Sequence, residues 1–232
     1  MPATTPVVPR NPGDPIPDVL DMTLAHRAMS TDLRRLAELA GAVRDRNLTC
    51  TPGRSRAIAR YVELLCTSIR HHHAAEDVML WPLIRASVGD HLDLSELTDD
   101  HRALDLRLDQ LQARAAAFRL WRGSPQIAGL VAVALTELTA LLGEHIRDEE
   151  SVVLPAITEH VSATDWATMQ TAARAGRRMS FDDPREHAVL NPDERAARAR
   201  GSGIGRRVHL LVLRLWHRRL ERAAFGGTLL SR

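Results

Sequence analysis

One phrase occurs twice in this chain. His72, Glu76 and Pro82 stand at relative positions 0, +4 and +10, and His145, Glu149 and Pro155 repeat those positions. Each copy follows a His-Arg-Ala triplet, His26-Arg27-Ala28 before the first and His101-Arg102-Ala103 before the second. The two His-to-His steps, 26 to 72 and 101 to 145, are 46 and 44 residues. A step of four puts two side chains on one face of an α-helix, one turn apart. The repeat therefore makes structural sense on helices, each long enough to carry a polar pair in line with an apolar stripe.

The apolar residues supply those stripes. Met22, Ala25, Met29, Leu33, Leu36 and Ala40 form the first, after Asp18 as a helix cap following Pro17. Thr51-Pro52-Gly53 marks a turn. The second stripe holds Ile58, Tyr61 or Val62, Leu65 and Ile69, and continues through His72, Glu76, Met79 and Leu83. The third starts near Asp93, with Glu96 at capping-box spacing, and runs through Leu97, His101, Leu104, Leu108 and Leu111 to Gly123. Ser124 and Pro125 suit an N-cap and first helical residue. The fourth stripe then holds Leu135, Leu138, Leu141 or Leu142, His145, Glu149 and Val152. Four helices of about 25–35 residues on short turns predict an all-α, up-down-up-down four-helix bundle. A short fifth helix is expected over about residues 164–175, and a basic amphipathic helix over about 205–222.

The expected organisation is a disordered, proline-rich leader (1–17), the bundle (18–176), a linker (177–203) rich in turn-forming residues, and the basic tail (204–232). An apolar content of 44% with only 3% aromatics requires an aliphatic core. No run of 18 apolar residues is present and the N-terminus lacks a signal-peptide core, so neither a transmembrane helix nor secretion is expected. Two cysteines make no disulfide framework, which points to a reducing cytoplasm. All 31 basic residues are arginine, consistent with a GC-rich bacterial genome. Of these, 13 fall in residues 177–232 against 6 acids, so the tail is basic and the body mildly acidic.

Both His-x3-Glu pairs prolong the apolar stripes of their helices, as do His26 and His101 on theirs. Four helices thus send ligand-type side chains into one dry core, where an isolated carboxylate costs several kcal/mol. The candidate metal ligands are His26, His72, Glu76, His101, His145 and Glu149. Within His71-His72-His73 the register is ambiguous, because His73 pairs with Asp77 at i, i+4 and with Glu76 at i, i+3. Only His72 reproduces the spacing of the second copy, which makes His71 and His73 flanking residues. Imidazoles with bridging carboxylates suit iron, zinc or manganese. Two bridging glutamates would give each of two ions two imidazoles and two oxygens, leaving a position open. The prolines are expected to kink both helices just beyond the ligands, each by removing a backbone hydrogen bond.

The pattern His26, His72-x3-Glu76, His101, His145-x3-Glu149, with "HHHAAEDVMLWP" echoed by "EHIRDEESVVLP", resembles the hemerythrin-like (HHE cation-binding) family over about residues 18–160. The resemblance implies a non-haem centre of two Fe ions with an oxo or hydroxo bridge, and O2, H2O2 or NO as its ligand. Oxygen-carrying members have a second histidine four residues after the helix-three histidine, where this chain has Asp105. The chain therefore resembles the bacterial type, and peroxide turnover, NO reaction or iron and redox sensing come ahead of reversible O2 carriage. Three functions compete: a di-iron redox protein with catalase-like chemistry, as the resemblance implies, a sensing module that signals through its basic tail, and a metal-free bundle with a buried polar network. The tail helix itself admits docking on the bundle or on another subunit, contact with an anionic membrane surface, or binding to an acidic partner. No DNA-reading motif accompanies it, so nucleic acid is not an expected partner.

Overall fold

The structure, a computed structural model, describes residues 7–89, 91–201 and 204–226, without the side chains of 201–209. It is all-α, with no strand among the described residues. The bundle consists of α1 (Leu20–Arg44), a long rod made of α2 (Pro52–Ala75), a π-helical turn (Glu76–Leu80) and α3 (Trp81–Val88), then α4 (Ser95–Leu120) and α5 (Pro125–His160). Four further helices follow: α6 (Ala163–Ala173), α7 (Met179–Ala188), α8 (Pro192–Gly201) and α9 (Ile204–Phe225).

Local chemistry sets the boundaries. Asp18 accepts the Leu20 N–H at 2.9 Å, and Thr51 Oγ1 accepts the Arg54 N–H at 3.2 Å ahead of Pro52. Asp93 accepts from Ser95, and Ser162 caps α6 through Asp165 N–H. Ser124 precedes Pro125 as expected, but its hydroxyl donates to Gln126 instead of capping. Gly123, at φ +84°, turns α4 into α5 directly against the α1–α2 loop. A Cβ there would meet Cys50 Sγ at 2.7 Å, so both a left-handed backbone and the close approach require glycine.

Around the bundle, α1 packs on α5, α5 on α4, and α4 on α2. The fourth edge differs, because α1 and α2 touch only sparingly. That edge is covered by the tail: α7 lies against α1, and α9 against α2 and α7. Within the segment expected to be a linker, the described residues 177–201 hold α7 and α8, and α7 packs on the bundle. Phe181, Asp182, Arg185 and Glu186 are buried, and α9 docks by its C-terminal half through His217, Ala224 and Phe225. The reason is a tertiary seam absent from any local pattern. Arg185 pairs with the buried Asp32 of α1 and lies 3.2 Å from Asp182 Oδ1, while Tyr61 of α2 donates its hydroxyl to Asp32 at 2.9 Å. Phe181 and Phe225 both pack edge-on against Tyr61, with centroids 5.1 Å away. In the leader, residues 7–19 are non-helical and Arg10 N–H donates to His160 O at 2.9 Å; residues 1–6 lie outside the description.

The two prolines act differently. Before Pro82 the chain forms the π turn, with Trp81 N–H reaching back five residues to Glu76 O. Pro155 is accommodated inside α5, which stays α-helical to His160. The sequence also gave no reason to expect a membrane-spanning helix, yet α5 is long and apolar enough to pass that test. In the bundle it is flanked by α1 and α4 and carries buried His145 and Glu149. Two aliphatic clusters share the axis. The larger runs from Met29 and Ile69 through Leu104 and Leu142 to the far end; the smaller holds Met22, Leu80, Trp81, Leu97 and Val153. The polar layer of histidines and glutamates lies between them.

Docking of the tail is testable at Phe225, which is 1% exposed and sits under the Arg35 guanidinium at 4.2 Å. Phe225→Ala is expected to cost about 3 kcal/mol in urea unfolding. A change near zero would mean that α9 is only tethered to the bundle.

Candidate metal centre

Four helices each place ligand-type atoms in this layer. Two groups form, each with its donor atoms within 4.8 Å of one another: His26, His72, Glu76 and Glu149 in one, and His73, His101 and His145 in the other. The six residues singled out from sequence are brought together here. His73, set aside there as a flanking residue, joins them. It is 4% exposed and stacks on His101 at 4.2 Å and 6°, with Trp81 on that ring's other side at 6.0 Å. His71 is a flanking residue, its Nε2 2.9 Å from Ala173 O at the end of α6.

The inclusion of His73 follows from helix geometry. Adjacent residues on an α-helix point about 100° apart. A helix aimed at the midpoint between two neighbouring sites can therefore send His72 to one and His73 to the other. Matching the second copy of the phrase assumed one histidine per helix, and the expected symmetric cage of two imidazoles per half becomes an arrangement of two and three. Asp105, on the outer face of α4, is half exposed and near Arg70.

The donor atoms converge without satisfying one another. His26 Nε2 is 2.8 Å from His72 Nε2, and His101 Nε2 is 3.1 Å from His145 Nε2. Glu76 reaches both groups, with Oε1 2.7 Å from His72 Nε2 and Oε2 3.6 Å from His101 Nε2. Glu149 Oε2 lies 3.4 Å from His26 Nε2 and 3.7 Å from His145 Nε2. All four glutamate oxygens are buried without a properly aligned hydrogen bond, as is His73 Nδ1.

Carboxylates at the edge of the layer set the tautomers. His26 Nδ1 donates to Glu150 at 2.8 Å, and His101 Nδ1 to Asp77 at 2.9 Å. Asp77 also accepts the Trp81 indole N–H at 3.0 Å, and His145 Nδ1 is 3.4 Å from Asp100. With Nδ1 turned outward, Nε2 of His26, His101 and His145 each presents a lone pair inward. Lone pairs facing each other at 3.1 Å between His101 and His145, beside buried carboxylates, form a donor set that fits cations held between them.

Burial favours the neutral form of His72, His73, His101 and His145, the form that binds a metal. It pushes His72 down to about 3 and His145 down to about 4, with His101 adding to the latter, and holds His73 well below the usual histidine range. Burial likewise lowers His101, against the pull of Asp77. Glu76 and Glu149 are driven well above the carboxylate range, Glu149 by burial first and by Glu76 second. Without a cation these two groups hold protons; a bound dication would displace them.

A cavity of about 90 Å3 opens on the first group, and His145 of the second borders a separate cavity beside Asp100 and Asp148. His72 and Glu76 line the first cavity, together with Met22, Met29, Trp166 and Met169. The wall is completed by α6 and α7, and Glu186 of α7 faces the same space. Glu186 is 7% exposed and burial pushes it up to about 7, partly offset by its ion pair with Arg177. It sits in the segment read as a linker, and no spacing in the sequence tied it to the site. His73, His101 and His145 are all buried and none of them lines this cavity.

A family model described as the Hemerythrin HHE cation binding domain matches residues 19–157 of the chain. No curated protein and no solved structure matches it.

The raised carboxylates give a test whose sign depends on metal. A carboxyl group raised in the folded state contributes stability that is whole below about pH 4.5 and is lost as pH climbs through its folded value, at about 1.4 kcal/mol per unit. Glu149→Gln cannot ionise and escapes that loss. In chelated protein it should raise the melting temperature at pH 8 and have little effect at pH 4. In metal-loaded protein it should lower the melting temperature at pH 8. The same sign in both states would remove the cation from the account.

Proposed function

Because this chain belongs to the hemerythrin HHE cation-binding family, we propose that it is a cytoplasmic, non-haem di-iron protein that binds or reduces a small oxidant: H2O2, O2 or NO. The observation that carries this reading is the cavity that meets a convergent set of buried donors at His72 and Glu76. The position of two imidazoles faces this cavity, and the three imidazoles of the other are buried, with His145 bordering a separate cavity beside Asp100 and Asp148. Iron bound by this donor set would supply electrons and an open coordination position.

The chain's own residues do the rest. His26, His72, Glu76 and Glu149 would hold the ion nearer the cavity; His73, His101 and His145, with the same two carboxylates, would hold the other. Glu150, Asp77 and Asp100 fix the inward lone pairs of His26, His101 and His145. Met22, Met29, Leu80, Trp166 and Met169 make the cavity largely apolar, which favours small, weakly hydrated molecules over bulk water. Glu186 holds a proton near neutral pH and offers it to the reduced oxidant across the cavity. Arg177, paired with Glu186, keeps that carboxyl from rising further.

Protein purified from iron-rich medium is expected to carry about two iron ions per chain, with near-ultraviolet absorption and no haem Soret band. His73→Ala should lower iron content, since it removes one of three imidazoles from its position. Glu186→Gln should leave iron content unchanged and slow peroxide consumption roughly 10- to 100-fold. Full iron loading without peroxide- or NO-dependent chemistry would leave a binding protein in place of an enzyme.

One observation favours a second reading, an iron- or oxygen-sensing module. The helix that walls the cavity, α7, is also the helix that α9 packs against. Under that reading, oxidant added to the iron-loaded protein should change protease cleavage within α9. Identical cleavage patterns before and after would count against it.

A further inference from the structure

A second cavity, of about 380 Å3, lies on the opposite side of α7 from the metal centre, between α1, α7 and α9. Five guanidiniums line it, those of Arg35, Arg185, Arg195, Arg214 and Arg218, and only two carboxylates, Asp32 and Glu221. The carboxylates are already engaged. Asp32 pairs with Arg185 and with Arg35 and accepts the Tyr61 hydroxyl, and Glu221 pairs with Arg35 at 3.0 Å. Among the described residues, neither Arg214 nor Arg218 has an acidic partner within ion-pair distance.

Three buried polar atoms without a hydrogen-bond partner belong to residues lining this one cavity: Nη2 of Arg35, Nη2 of Arg185 and Nδ1 of His217. Arg185 is 4% exposed and His217 5%. In Arg185 the remaining nitrogens are spent on the protein, Nε on Asp32 and Nη1 on Asp182 and Ser68, and Arg35 uses Nη1 on Asp32 and Glu221. Buried nitrogens are rarely left unpaired, and the excess of guanidinium over carboxylate here sets the sign of what would complete them. The crowding is also felt by Arg214, whose pKa is lowered first by burial and then by Arg218 and Arg195.

We propose that this cavity is a binding site for a multiply charged oxyanion, a phosphate-type or polycarboxylate group, held by Arg35, Arg185, Arg214, Arg218 and His217. Guanidinium groups recognise such oxygens through paired N–H donors, and a preformed cluster of them selects for more than one negative charge. The site joins α1, α7 and α9, so an occupied cavity ties the tail to the bundle. It does not depend on the iron chemistry of the other site.

Inorganic pyrophosphate and citrate serve as probes, titrated calorimetrically into the full-length protein at about 150 mM salt, where weak surface attraction is screened. Saturable binding is expected with at least one of them. Arg214→Gln with Arg218→Gln, both on the accessible rim of the cavity, should weaken it at least about tenfold and leave iron content unchanged. Anionic and zwitterionic vesicles identify the source. Capture by anionic vesicles alone, reversed by pyrophosphate, would assign the group to a lipid headgroup, on which the exposed Leu211, Val212, Leu215 and Trp216 of α9 would also bear. Binding of the soluble anions without vesicle capture would assign it to a free anion. No saturable heat with either probe, or undiminished binding by the double variant, overturns the proposal.

Discussion

Two glutamates sit where no carboxylate would be expected to stay charged. Glu149 is fully buried, Glu76 nearly so, and neither has an aligned hydrogen-bond donor. Leaving such groups uncompensated costs several kcal/mol each, which is a large share of the net stability of a domain. Much of the architecture follows from making that placement tolerable. The ligand-bearing helices are long enough to continue as apolar rods on both sides of the polar layer, so the aliphatic clusters above and below carry the packing that the layer itself forgoes. The outer carboxylates then orient three of the five imidazoles, so that the layer is assembled as a donor set before any ion arrives.

The tail belongs to the same structure. A bundle closed on all four edges would bury the layer without access for any ligand. Here α1 and α2 are held apart, and α7 and α9 fill the gap with ion pairs and aromatic rings in place of aliphatic packing. Breaking a buried pair such as Asp32–Arg185 by removing one partner typically costs about 3–5 kcal/mol. The seam that covers the bundle edge therefore also positions the wall of the cavity beside His72.

What could be read in the chain follows from which forces are local. Helix periodicity, the Thr51-Pro52 and Ser124-Pro125 starts and the His-x3-Glu faces are all properties of one segment at a time, and α1, α2, α4 and α5 lie where those signals put them. Tertiary features were out of reach. The segment holding α7 contains Pro184 and a run of charged residues, and its burial rests on Arg185 finding Asp32 and Asp182 finding Ser68, both far away in sequence. His73 was missed for a different reason: the comparison of two copies rewards what they share, and His73 has no counterpart, since Ile146 follows His145. On the tail helix, the docking surface lies at His217, Ala224 and Phe225, while Leu211, Val212, Leu215 and Trp216 stay exposed; Arg207 and Val208 fall outside the described side chains.

The duplicated phrase is symmetric in sequence, and its chemistry depends on how the structure breaks that symmetry. If both halves were equivalent, each ion would have two imidazoles and both would be equally open or equally closed. Three differences prevent this. The first copy carries an extra histidine, which adds a third imidazole to the position that also receives His101 and His145. Only the first copy is followed by a π turn, with Asp77 placed to accept from both His101 and Trp81. Only the side of His72 is met by α6 and α7, which leave a cavity there. Together they give the two positions different donor sets and different surroundings. Under the proposed di-iron reading, a small molecule entering from the cavity beside His72 would meet the ion of the two-imidazole group first, with Glu186 lining the same space.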